Sequence, residues 1–237
     1  MTLSARKVDY KPAGFVRDTL RIARKDLTIE FRTRSAFFSA AVFAVLSVVI
    51  FRFTWDTASL TTNDLAPGVL WVIFTFSGLL GLNRSFGVEL ADRGLDALLA
   101  SPVSRESVFA GKALANFVFV CAVQLLTMPA LALFFNLPAG EYWFAVVGVV
   151  VLAAIGLVSV GTLFAAMTSN TRMSELLLPM LALPFFVPVV IPAAQASTSL
   201  MAGRPIDEVI GWCKLLAAFD IVFVAACTVA FPFTLEE

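Results

Sequence analysis

Residues 142–168 read YWFAVVGVVVLAAIGLVSVGTLFAAMT, twenty-seven positions without one charged side chain. A helix needs about 20 apolar residues to cross a hydrocarbon core of about 30 Å. A soluble core helix would show a polar stripe every three or four residues, and this stretch has none. Similar apolar stretches lie at about 36–54, 66–86, 110–135, 175–200 and 212–235. The remainder of the chain agrees: 237 residues are 59% hydrophobic and only 14% charged, with a mean hydropathy of +0.91. An ordinary soluble domain is about 25% charged. Too little polar surface exists to cover a water-exposed globule, which excludes a soluble enzyme. The fold class expected is an all-α polytopic membrane protein with six transmembrane helices.

Composition removes several chemistries as well. The chain contains no histidine, so Ser-His-Asp or Cys-His catalysis, His-ligated zinc and an imidazole haem ligand are all excluded. Cys121, Cys213 and Cys227 are widely spaced and form no Cys-x-x-Cys pair, which fits apolar packing residues better than a metal knuckle or disulfide framework. No metal site and no nucleic-acid partner are expected.

Residues 1–35 form a distinct cytoplasmic tail and amphipathic helix. They hold nine basic side chains against four acidic ones. Val16, Leu20, Ala23, Leu27 and Phe31 recur at helical spacing, while Arg17, Arg21, Arg24, Lys25 and Arg32 fall largely elsewhere. Such a helix lies in the membrane interface, apolar face in the acyl boundary and basic face toward anionic headgroups. A solvated helix packed on a partner is the alternative. The long basic region, with no small-residue cleavage site after the apolar run, does not fit a cleaved signal peptide.

The basic residues also set an orientation for the single transmembrane domain, residues 36–237. Fourteen lie in the N-terminal region, the 84–112 connection and the 168–175 turn, against Arg52, Arg204 and Lys214 on the opposite side. The positive-inside rule places both termini in the cytoplasm. Thr54–Leu65 and Asn136–Glu141 are then short outer connections. Pro179, Pro184, Pro188 and Pro192 crowd the fifth span, and Gly203, Arg204, Pro205, Asp207 and Glu208 follow it. Proline removes a backbone donor, so the expectation is a kinked span ending in a re-entrant or interfacial helical segment over 193–211.

The largest cytoplasmic connection, 87–109, contains Glu89-Leu-Ala-Asp-Arg-Gly-Leu-Asp-Ala-Leu-Leu-Ala-Ser-Pro102. Leu95, Leu98 and Leu99 share one face of a short helix, Asp92 and Asp96 lie beside them, and Pro102 ends it. A half-apolar helix of this kind suits a groove on another protein; an ordinary interfacial turn explains it equally well. Gly111-Lys112 has the form of the end of a phosphate-binding loop, but Glu106 stands where the first glycine belongs and Ala113 replaces the magnesium-binding hydroxyl. The chain therefore has no ATP site of its own. Energy must come from a separate subunit or an ion gradient.

A charge at the bilayer centre costs about 2.5–3.5 kcal/mol on insertion scales, which singles out Asp220 in the sixth span. Gln124 and Thr127 of the third span reach a similar depth. The favoured reading of Asp220 is a carboxyl hydrogen-bonded between helices or facing a wet cavity; substrate or proton handling is the alternative. Ser77 with Gly81, and Gly161 with Ala165, place small residues four apart for close helix packing.

Several blocks in order resemble the CcmB family. They are Val69-Leu-Trp-Val-Ile-Phe-Thr-Phe-Ser-Gly-Leu-Leu-Gly-Leu-Asn-Arg-Ser-Phe86, Gly161-Thr-Leu-Phe-Ala-Ala166, Asn170-Thr-Arg172, Glu175-Leu-Leu-Leu-Pro179, Ala218-Phe-Asp220 and Leu235-Glu-Glu237. The resemblance spans roughly residues 18–237; Pro232 and the outer loops depart from it. Members of the family are membrane subunits of the ABC-type complex for cytochrome c maturation, termed haem exporter protein B.

The resemblance implies an ABC-2-type permease architecture with an N-terminal interfacial helix and a cytoplasmic coupling helix. Asp92, Arg93, Gly94, Leu95, Asp96, Leu98, Leu99 and Pro102 would be that helix. Two copies would pair with two ATPase subunits of the CcmA kind, which would bind the ATP. Further implied partners are a CcmC-like haem-handling subunit, a small CcmD-like subunit and a CcmE-like periplasmic haem chaperone, all at the bacterial inner membrane. Haem would be exported, or the haem-loaded chaperone released; the missing histidine fits the second version better. A permease for another lipid-like substrate and a passive scaffold or ion-coupled carrier are the competing classes.

Overall fold

The computed structural model describes residues 14–54, 62–91, 103–138, 140–169, 171 and 173–234. Among them are seven helices and no strand: α1 (Phe15–Thr33), α2 (Ser35–Thr54), α3 (Thr62–Ala91), α4 (Arg105–Phe134), α5 (Tyr142–Ser169), α6 (Ser174–Met201) and α7 (Ile206–Thr234). The six from α2 to α7 are each long and apolar enough to span a membrane; in α3 the apolar stretch is Leu65–Asn83. The fold class is as expected, an all-α body with six spans.

The stretch that reads most apolar occupies the centre. α5 packs against α3, α4, α6 and α7, burying Val146, Val150, Ala153, Leu157 and Val160. A helix that is apolar all round is at home where every face meets another helix. α2 packs on α3 and α4 at the edge, and α1 rests mainly on α4.

Lipid tails are as apolar as leucine, so helix association relies on close packing and hydrogen bonds between helices. These bonds fix the up-and-down order. At one end Arg105 donates to the Pro232 carbonyl at 3.0 Å, joining the start of α4 to the end of α7. Nearby, buried Asn116 Nδ2 donates to Thr162 Oγ1 at 3.0 Å, joining α4 to α5. At the opposite end Trp71 Nε1 donates to Ser197 Oγ at 3.1 Å, joining α3 to α6. Arg52 Nε donates to the Phe134 carbonyl at 2.9 Å, joining the ends of α2 and α4. Replacing Trp71 by Phe is expected to cost about 0.6 kcal/mol, the mean for such bonds within membranes. Thermal unfolding of the detergent-solubilised chain would measure it.

Arg52–Phe134 and the edge-on ring pair Phe37–Phe119 share the same sequence separation of 82 residues. Over this length α2 and α4 therefore run parallel. The first three turns of α4 extend beyond the start of α2, and α1 docks on that extension. α4 begins five residues earlier than its apolar run because Ser104 caps it, accepting the Ser107 N–H at 3.3 Å. Arg34 joins α1 to α2 with φ 54, its N–H returning to the Glu30 carbonyl at 2.7 Å. That left-handed conformation costs a residue with a side chain about 1–2 kcal/mol.

The re-entrant or interfacial segment expected over 193–211 is not formed. α6 remains helical through all four prolines to Met201, and α7 begins at Ile206. Between them Gly203 (φ 64) stands in the left-handed region. The Arg204 N–H bonds Ser199 O at 2.9 Å and the Gly203 N–H bonds Leu200 O at 3.2 Å, the pattern of a Schellman cap. Pro205 then stops α6, and Asp207 and Glu208 in the first turn of α7 favour immediate helix initiation. α4 ends by the same device, with Asn136 left-handed (φ 51) and Pro138 following. In lipid-embedded helices the donors lost to proline are compensated by neighbours and local adjustment, so Pro179, Pro184, Pro188 and Pro192 do not break α6.

Candidate functional site

Two arrangements gather the polar side chains of this apolar body. The first is the α1–α4 junction. Around α1, Asp18, Ile22 and Asp26 lie on the face toward α4; Val16, Leu20 and Phe31 lie on a second, exposed face. Arg17, Arg21, Arg24 and Lys25 occupy a third, also exposed. The predicted apolar stripe thus stays open, with Phe31 71% exposed and only Ala23 wholly buried. The basic face is where the sequence placed it. The face that docks on α4 was not expected.

Docking depends on Gly111-Lys112. A Cβ at Gly111 would run into Ile22 and the backbone carbonyl of Thr19, both within 3 Å, so α1 can approach α4 this closely only at glycine. One residue on, Lys112 is completely buried and its Nζ lies 3.3 Å from Asp26 Oδ2. Lys25 holds the other Asp26 oxygen at 3.1 Å. Asp18, also buried, is 3.7 Å from the exposed Arg21. A lysine leaves water only when paired, and Asp26 supplies that pairing. The glycine and lysine that look like part of a phosphate loop are thus spent on holding α1.

Asp92, Arg93, Gly94, Leu95, Asp96, Leu98, Leu99 and Pro102, expected to form a coupling helix, lie outside the described residues. Their flanks do not: α3 runs to Ala91 and α4 starts at Arg105, at the end of the bundle that carries α1 and Pro232.

The second arrangement sits at mid-height. Asp220 is buried, and neither carboxyl oxygen meets a hydrogen-bond partner among the described residues. The carboxyl instead packs on Gly156 of α5, where a Cβ would collide with Oδ1 and touch Val189 of α6. Gly156, Val189 and Asp220 are each near the middle of their helices, so α5, α6 and α7 converge at this level. Gln124 is also fully buried with both polar atoms unpartnered, whereas Thr127 satisfies itself on the Val123 carbonyl at 2.7 Å. Gly81 and Gly161 serve the close packing read from the sequence, meeting Phe119 and Leu82 respectively. Among the described residues, no three Cys, Asp or Glu side chains come together as a metal site would require.

These features define a class: a six-span helical membrane protein with a charged amphipathic helix pinned against its third span. The CcmB protein family model matches residues 17–237, and the chain belongs to that family. It is 32% identical over 207 residues to "Heme exporter protein B" of Paracoccus denitrificans, covering 87% of this chain and 89% of that protein. The protein of the same name from Rhodobacter capsulatus is 29% identical over 206 residues, covering 87% and 94%. That from Escherichia coli K12 is 26% identical over 198 residues, covering 84% and 88%.

Proposed function

We propose that this chain is the membrane subunit of an ABC-type complex in cytochrome c biogenesis. It would couple ATP hydrolysis on a partner ATPase to haem export, or to release of a haem-loaded periplasmic chaperone. The observation that carries this reading is family membership over residues 17–237, with relatives along most of their length that bear the name "Heme exporter protein B". The chain is not itself an enzyme in this scheme. It spans the bacterial inner membrane with both termini in the cytoplasm, as the distribution of basic residues favours.

The 87–109 connection is the ATPase-coupling element, with Leu95, Leu98 and Leu99 as docking groups and Asp92, Arg93 and Asp96 around them. Closure of the nucleotide-binding dimer would push on the adjoining ends of α3 and α4 and alter the far face. Two copies of the chain would work with two CcmA-like ATPases, beside CcmC-like and CcmD-like subunits and a CcmE-like chaperone. Any imidazole ligands to haem would sit on those partners, since this chain has no histidine.

Pull-down from mildly solubilised membranes should recover the ATPase and haem-handling subunits with haem absorbance. The double variant Leu95→Asp/Leu98→Asp should lose the ATPase completely while eluting as a folded membrane protein. Undiminished ATPase recovery and activity in that variant would refute the coupling assignment.

A further inference from the structure

Beside the α1–α4 junction runs an open apolar trough unrelated to the residues proposed to meet the ATPase. It consists of two adjoining hollows of about 340 and 400 Å³ that share Leu27, Phe31 and Val118. The larger continues to Leu20 and Leu114 and is bordered by Arg24. The smaller is walled by Phe37, Phe38 and Phe119 and bordered by Arg34. Each lies in the size range of about 300–1,000 Å³ typical of ligand pockets. The trough sits where α1 gives way to α2, the first of the six helices long and apolar enough to cross a membrane.

We propose that this trough binds one anionic glycerophospholipid, its acyl chain along Leu27, Phe31 and Val118 and its phosphate at the Arg34 mouth, with Arg24 adding positive charge at the opposite border. Three observations point to such an occupant. Apart from Thr28 and Glu30 and the bordering arginines, the walls are aromatic and aliphatic, which suits a hydrocarbon chain. The charged groups at its borders complement a phosphate: Arg24 and Arg34 are exposed, whereas the Glu30 carboxylate is turned to the Phe37 N–H at 3.0 Å. Finally, Arg34 holds the left-handed bend between α1 and α2, a conformation that glycine would adopt without strain. Strain kept by a functional side chain points to a role for that side chain. Here it sets the guanidinium at the mouth of the trough.

The test uses the full chain, delipidated in detergent and given equimolar phosphatidylglycerol and phosphatidylcholine. Native mass spectrometry then counts the bound lipids. Phosphatidylglycerol adducts should predominate in the wild type. Each interfacial arginine contributes about a fivefold preference for an anionic headgroup, so Arg24→Gln/Arg34→Gln should bring the ratio close to one. Ala122→Phe, or independently Val118→Phe, projects into the trough from α4 and should remove adducts of both lipids. Leu133→Phe, on the same helix but away from the trough, should change neither. All variants are compared after confirming wild-type helicity and elution. Equal binding of both lipids by the wild type, or an unaltered ratio in the arginine variant, overturns the proposal. So does a homodimer that excludes lipid and is lost on filling the trough, which would assign the surface to a second copy.

Discussion

Replacing Asp26 by Ala is expected to destabilise the protein by about 1–3 kcal/mol, the usual cost of taking a hydrogen-bonded partner from a buried polar group. Lys112 is completely buried and Asp26 is 15% exposed, so solvent screening reduces this interaction little. The opposite change, Lys112→Met, leaves Asp26 with Lys25 at 3.1 Å and some contact with water, so it too should fall short of the full cost of a buried unpaired charge. Combining Asp26→Leu with Lys112→Met should recover part of the loss, since apolar replacement of a whole buried pair is often neutral or favourable. The local consequence is release of α1. Limited trypsin digestion should then cut around Arg32 and Arg34 in Asp26→Ala much faster than in the wild type, and thermal unfolding should shift downward. An unchanged melting temperature together with unchanged digestion would show that α1 does not depend on this pair. The proposed function adds a further expectation. α4 carries α1 on the turns that immediately follow the 87–109 connection, so loosening α1 should weaken ATPase-driven activity more than ATPase binding.

How far the sequence foretells these features follows from where each signal lies. Six spans are legible because about 20 consecutive apolar residues have few other uses. The basic face of α1 is legible because Arg17, Arg21, Arg24 and Lys25 follow helical spacing within the segment. Its docking face is not. Asp26 reads locally as one more polar group on a charged helix, and its partner Lys112 is 86 residues away. Gly111-Lys112 is mute for the same reason: the sequence rules out a phosphate loop there, but the close approach that requires the glycine appears only with the opposing helix. The short turn at Gly203-Arg204-Pro205 is not legible, because proline and glycine announce an interruption without stating its length. A Schellman cap closes it in a few residues, leaving no room for a separate hairpin. Asp220 and Gln124 stand out as polar groups in apolar runs, yet nothing nearby in sequence identifies Gly156 as the neighbour of Asp220.

That neighbour gives the other large expected effect. Gly156→Ala should destabilise the bundle by about 1–3 kcal/mol, the range for overpacking a tight interior, because the added methyl meets both Asp220 and Val189. Gly156→Leu should be worse and prevent normal assembly. Asp220→Ala should suppress the defect of Gly156→Ala by making room for the methyl, so the double variant should be more stable than Gly156→Ala alone. Thermal unfolding of the four proteins in one detergent supplies the cycle, and strict additivity would contradict the contact. Asp220→Asn separates packing from charge: it retains nearly the same volume against Gly156 without the acid. If the carboxyl serves only as a packing group where α5, α6 and α7 converge, Asp220→Asn should assemble normally and, under the proposed function, support cytochrome c maturation at wild-type levels. Normal assembly with complete loss of maturation would instead assign the acid a charge-dependent task at mid-membrane. No polar side chain among the described residues occupies its oxygens, so such a task would have to involve a group arriving from outside these helices.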